Sequence, residues 1–139
     1  MHAEQMLHTH PHAQDRSDDV LIRCIEDCYD CAQACIACAD ACLGEKDVAM
    51  LTQCIRLDLD CADLCGAVGA MASRRTGSNE AVLRAALAAC AMACQRCAEE
   101  CETHAARHAH CRVCAEACRR CQQACEGVGV SIRERDSLQ

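Results

Sequence analysis

Cysteine recurs in this chain at the spacing of a helical core. Steps of 4, 3, 4, 3 and 4 separate Cys24, Cys28, Cys31, Cys35, Cys38 and Cys42. A second cluster holds Cys54, Cys61 and Cys65. A third holds Cys90, Cys94, Cys97 and Cys101, and a fourth Cys111, Cys114, Cys118, Cys121 and Cys125. Alternating steps of three and four put side chains on one face of an α-helix, at the positions Leu takes in a coiled coil. The residues between are mostly Ala, Glu, Gln, Arg and Asp, all but the last good helix formers. The pattern predicts four helices, each carrying a stripe of thiols.

Those stripes have to be the core, because little else is available. Leu, Ile, Val and Phe number 22 of 139 residues, about 16%. That is below the roughly 20% at which a strongly charged chain reads as disordered. There is no Trp and one Tyr, and the apolar content rests on Ala and 18 Cys. The net charge of −7 argues against a nucleic-acid partner, which needs a basic face. No apolar run approaches the ~18 residues of a membrane span. The start, MHAEQMLHTHPHAQDRSDD, lacks the basic and apolar regions of a secretory signal. The expected compartment is therefore the reducing cytoplasm, where many cysteines point to metal rather than to disulfides.

Turn signals divide the clusters. Gly44 ends the first helix and Asp47 is placed to cap the second. Ser73 to Asn79 reads as a loop with Ser78 or Asn79 as cap, and Gly127 and Gly129 close the fourth helix. The junction near His104 to His110 has neither Gly nor Pro. Helices are expected at 17–43, 47–72, 79–104 and 108–126. Short loops make neighbours antiparallel. The predicted fold is all-α, an up-down-up-down four-helix bundle with a cysteine-lined core over residues 17–130. Residues 1–16, with His2, His8, His10 and His12, read as a flexible arm, and 131–139 as a polar tail.

Following each stripe past its last cysteine distinguishes the two ends. Antiparallel topology gathers Leu21, Val68, Leu83, Leu87 and Val128 at one end, an aliphatic plug. The other end collects Cys42, Met50, His104, His108, His110 and Cys111, all soft or borderline metal ligands. The result is a tube of thiols with one closed end and one ligand-lined mouth. Leu51, Ile55, Leu59, Leu64 and Ile36 lie off the stripes and predict an exterior apolar surface that marks a homo-oligomer interface.

Packing alone does not explain eighteen inward thiols, because Cys is smaller than Leu and fills a core poorly. Residues three or four apart on a helix have Cβ atoms roughly 5–6 Å apart, against the roughly 3.5–4.5 Å of a disulfide. The C-x2-C-x2-C-x3-C-P run of iron–sulfur proteins is absent. Zinc held by four thiolates keeps two net negative charges, costly to bury several times over. Cu(I) fits best. It is soft, prefers thiolate and accepts two or three ligands. Two Cys four apart can hold it almost linearly, with a third sulfur from a neighbouring helix. One Cu(I) per thiolate also leaves the core nearly neutral. Zinc or mixed-metal sequestration and a thiol–disulfide redox buffer remain as alternatives. No nucleophile or acid–base pair stands out, so an enzyme is not expected.

A Cys-lined bundle with CxxxC pairs and His at one end, over residues 20–127, resembles the cytosolic branch of the bacterial copper storage proteins. The resemblance implies a homotetramer of four-helix bundles, each storing many Cu(I) ions through Cys pairs. It also implies a Met-rich mouth only in exported members, whereas here Met50 stands beside three histidines.

Five further residues are candidate ligands. His104 and His108 continue the stripe of the third helix, as ligands or as a solvated helix end. His110 is off that stripe but beside Cys111. Met50 lies four before Cys54, as a thioether ligand or a gap-filling side chain. Asp58 fills the missing step between Cys54 and Cys61, either as a carboxylate ligand or as a solvated acid with Leu57 turned inward.

Overall fold

A computed structural model of the chain describes residues 1–12 and 19–137. Four long helices make the body: α2 (Asp19–Leu43), α3 (Thr52–Ser73), α4 (Glu80–His104) and α5 (Ala109–Ser137), preceded by a short α1 (Ala3–His8). They pack as a ring, α2 on α3, α3 on α4, α4 on α5 and α5 back on α2. The connections between the long helices are short, so successive helices alternate in direction, as expected of an up-down-up-down bundle.

Local signals set most boundaries. Gly44 follows α2, and its N–H reaches back to the Ala41 carbonyl at 3.1 Å. Residues 74–79 form the second connection, where Gly77 takes a positive φ of 73°, a region most side chains avoid. Asn79 sits at the N-cap of α4, but no side-chain hydrogen bond caps that helix.

The α2–α3 connection differs from the expected cap. Asp47 makes no capping bond with its side chain; a 3₁₀ turn, Val48–Leu51, comes first and α3 starts at Thr52. A 3₁₀ turn has three residues per turn rather than 3.6, which rotates the register. Leu51, expected on the outer surface, is therefore fully buried, and Met50, expected inside, is 64% exposed.

The second difference is at the C-terminus. α5 runs through Gly127 and Gly129 to Ser137, so most of the expected tail is helix. Glycine weakens a helix by under about 1 kcal/mol, and tertiary burial outweighs it here. Val128 and Ile132, one turn apart, are both buried in the plug. An ion pair between Arg84 and Asp136 ties the last turns of α5 to the start of α4.

The N-terminal arm is also partly structured. Ala3 is buried, Leu7 packs on the core, and α1 contacts α2. His10 reaches Thr76 in the α3–α4 loop at 3.4 Å. The remainder of the expected arm, residues 13–16, lies outside the described residues.

Of the expected interface residues, Ile36 and Leu59 are exposed while Ile55 and Leu64 pack partly against the core. Leu43, Met50, Met92 and Val113 are exposed besides. Among the described residues one helix, α4, is long and apolar enough to cross a membrane, contrary to the expectation that no apolar run reaches that length. Its apolar content is largely Ala and Cys, and all four of its cysteines face the bundle core.

Candidate metal centre

All eighteen cysteines are buried and none forms a disulfide. Their stripes meet on the bundle axis as a continuous column of sulfur. From the mouth inward it passes through Cys38, Cys42, Cys54 and Cys111, then Cys35, Cys97, Cys114 and Cys118, then Cys31, Cys35, Cys61 and Cys118. It continues through Cys31, Cys65, Cys94 and Cys121 to Cys28, Cys90, Cys121 and Cys125. Within each group the sulfurs lie within 4.8 Å of one another. Cys31, Cys35, Cys118 and Cys121 each belong to two groups, so the groups merge rather than stand apart. Cys24, 3.9 Å from Cys28, ends the column.

Nearest sulfurs are 3.6–4.0 Å apart, for example Cys54 to Cys101 at 3.6 Å and Cys31 to Cys61 at 4.0 Å. A metal–sulfur bond of about 2.3 Å places three-coordinate sulfurs about 4.0 Å apart and linear ones about 4.6 Å apart. The column thus suits shared, three- or four-sulfur coordination as it stands. A linear CxxxC pair requires the two thiols to spread.

Asp58 sits inside, fully buried, while Leu57 is partly buried and packs against the side of the core. Its Oδ1 accepts thiol hydrogen bonds from Cys97 at 3.1 Å and Cys114 at 3.2 Å, with Cys101 at 3.6 Å. Its Oδ2 is buried without a partner. Desolvation, followed by the neighbouring Cys114, pushes the carboxyl up to about 8. The carboxyl thus has one oxygen among three sulfurs and the other without a hydrogen bond.

The thiols themselves differ in acidity according to how they share protons. Hydrogen bonds from Cys101 and Cys38 draw Cys54 below its ordinary value. Burial pushes Cys42, its neighbour at the mouth, up to about 11. Of the four thiols grouped at the mouth, Cys54 is the one drawn down, while Cys38, Cys42 and Cys111 are pushed up.

The mouth gathers His104, His108 and His110 as expected. His104 Nε2 lies 2.7 Å from Glu100 Oε2. His110 Nδ1 lies 3.4 Å from Cys38 Sγ and 3.6 Å from Cys111 Sγ, linking the rim to the column. His108 meets Glu45 through Nδ1 and Asp47 through Nε2, the latter at 3.1 Å. Its imidazole holds the Asp47 carboxyl below its usual range. Met50 is not part of this group; it points to solvent. The closed end is as expected at Leu21, Val68, Leu87 and Val128, with Leu83 only partly buried, and it also takes in Ile25 and Ile132.

Glu45, Asp47 and Glu100 are not among the residues expected at the mouth. Glu100 was legible, being four residues before His104 on the same helix. Glu45 and Asp47 follow Cys42 in the loop that topology brings over the mouth, but Asp47 also matched a helix cap, and that local signal masked it.

The family described as copper storage protein (Csp) matches residues 17–129. The copper storage protein Ccsp from Streptomyces lividans, in a structure loaded with 10 copper equivalents, is 53% identical with a TM-score of 0.88, covering 92% of this chain and 98% of that one. The Cu(I)-bound copper storage protein BsCsp3 is 39% identical with a TM-score of 0.64, covering 74% of this chain and 92% of that one. An uncharacterised cysteine-rich protein of Bacillus subtilis (strain 168), YhjQ, is 39% identical over 89 residues, 64% of this chain and 77% of the relative.

Proposed function

This chain belongs to the copper storage protein family, and we propose that it stores Cu(I) along its thiol column at about one ion per cysteine. The observation that carries the ratio is the continuity of the column. Seventeen of the eighteen buried thiols have a sulfur neighbour at 3.6–4.0 Å, and Cys42 lies within 4.8 Å of Cys38, Cys54 and Cys111, so an ion in one group has sulfurs of the next within reach. Each Cu(I) cancels one thiolate charge, and a filled column is close to neutral. In this reading all eighteen cysteines are ligands and Asp58 offers its unpartnered oxygen to the outer part of the column. His104, His108 and His110 receive the ion at the mouth, and Met50 has no part.

The protein acts by binding rather than by catalysis, holding copper for storage or protection. The cytosol is its compartment, in keeping with a Streptomyces lividans relative described as a cytosolic copper storage protein, 58% identical to this chain. A homotetramer is its assembly, supported by the exposed apolar side chains Ile36, Leu59 and Met92 on the outer faces.

The groups of four sulfurs also suit tetrahedral zinc, and stoichiometry separates the two metals. Reduced, metal-free protein is titrated anaerobically with Cu(I) against a chromophoric chelator. A break near one Cu(I) per Cys, roughly eighteen per chain, is the expected result. A break near about four or five ions, with roughly four thiolates to each metal, would overturn the one-to-one column.

A further inference from the structure

We propose that Glu45, His108 and His110 form a mononuclear site for a borderline divalent cation, of the Zn(II) class, set across the mouth and outside the thiol column. The two rings stand at the start of α5, His108 just before it and His110 in its first turn, stacked with centroids 5.4 Å apart and planes at 23°. Glu45 comes from the facing loop. Its Oε2 meets His108 Nδ1 and lies 3.5 Å from His110 Nε2. One nitrogen of each ring thus converges on Glu45 Oε2.

A second observation marks that point as unfilled chemistry. His110 Nε2 is buried and has no hydrogen-bond partner; its 3.5 Å contact with Glu45 is an ion-pair distance only. A buried polar atom left unpaired is costly, and a cation at this point would satisfy it. The outer partner of His108 is also in place. Its Nε2 pairs with Asp47 Oδ2 at 3.1 Å while Nδ1 faces Glu45, and with the ring proton on Nε2 the Nδ1 lone pair is free for a cation. A carboxylate on the far nitrogen of an imidazole ligand fixes its tautomer and raises its basicity.

The donor set decides the class of cation. Two imidazoles and a carboxylate suit borderline divalent ions and leave an open position for water. A soft monovalent ion prefers the sulfurs below. His110 keeps the two chemistries apart, since Nδ1 faces Cys38 and Cys111 while Nε2 faces Glu45. A cation here would tie the 44–47 loop to α5 across the opening.

The test uses Co(II) as a coloured stand-in for Zn(II). Protein is first saturated with Cu(I) anaerobically, which occupies the thiols and measures storage capacity separately. Co(II) is then added. One Co(II) per chain should bind, with ligand-field bands, no sulfur-to-cobalt charge transfer, and displacement by Zn(II). Glu45→Gln and His110→Ala should each weaken binding at least about tenfold, and Asp47→Asn about tenfold. His10→Ala and His12→Ala, at the far end, should leave it unchanged. Absence of Co(II) uptake by the loaded protein, a sulfur charge-transfer band, or binding that survives Glu45→Gln but is lost in His10→Ala would each overturn the site.

Discussion

Asp58 stands on the inner face of α3 where the heptad would place an apolar residue, and burial holds its carboxyl up near 8. An unfolded Asp ionises near about 3.9. Between those values folding takes up a proton, so the contribution of Asp58 to stability is fully present below about pH 4 and is lost as pH rises toward 8. Metal-free, reduced protein should therefore lose stability from pH 5 to 7.5, and Asp58→Asn should flatten that slope. At pH 7.5 the variant should be the more stable by up to about 5 kcal/mol. Anaerobic urea unfolding at several pH values measures this, and parallel slopes for the two proteins would mean that Asp58 is ionised in the fold. The sequence left Asp58 and Leu57 as rivals for a definite reason. Seven residues separate Cys54 from Cys61, and the step between can be taken as three then four or as four then three. The same ambiguity exchanged Met50 for Leu51. Thiol positions escaped it because each stripe contains its own next cysteine.

At the scale of an element, glycine was the least reliable guide. Gly44 and Gly77 behave as local signals suggest, whereas Gly127 and Gly129 lie within a helix. The difference is tertiary: Val128 and Ile132 extend the stripe of α5 into the aliphatic plug, and no local signal records that plug. The consequence is measurable. A Cβ at Gly127 would meet only Val20 at 3.6 Å, and one at Gly129 only Arg133 at 3.6 Å, both ordinary contacts. Gly127→Ala and Gly129→Ala should each stabilise the protein by about 0.5–1 kcal/mol. Gly69 is the opposite case. A Cβ there would come within 3.0 Å of the Tyr29 ring, which packs over the glycine between α2 and α3. Gly69→Ala should lower the melting temperature while the other two raise it. Three variants that move together would show that helix propensity alone, rather than these contacts, sets the outcome.

For the whole molecule the governing constraint is charge in a dry column. Eighteen thiolates cannot be packed without counterions, because each buried charge left uncompensated costs several kcal/mol. The metal-free bundle therefore holds most of its thiols protonated, donating to one another along the axis, as Cys61 does to Cys94 and Cys121 does to Cys28. Antiparallel packing, the Ala-rich backbone and the aliphatic plug do not depend on metal. The bundle is thus expected to be folded before copper arrives, with far-UV circular dichroism nearly unchanged on loading. The protons then have to leave. Each Cu(I) that converts a thiol to a thiolate expels about one proton, so anaerobic loading in weak buffer at pH 7 should release about one proton per Cu(I), steadily to the end of the titration. The constancy matters more than the total. Release that is small at first and rises later would mean that the outer part of the column, where Cys54 lies, is already ionised in the metal-free protein. Release that stops well before the cysteines are exhausted would mean that the inner thiols never take a metal. A flat profile up to the copper endpoint is the outcome in which folding builds a neutral thiol column and loading exchanges its protons for Cu(I) without altering its charge.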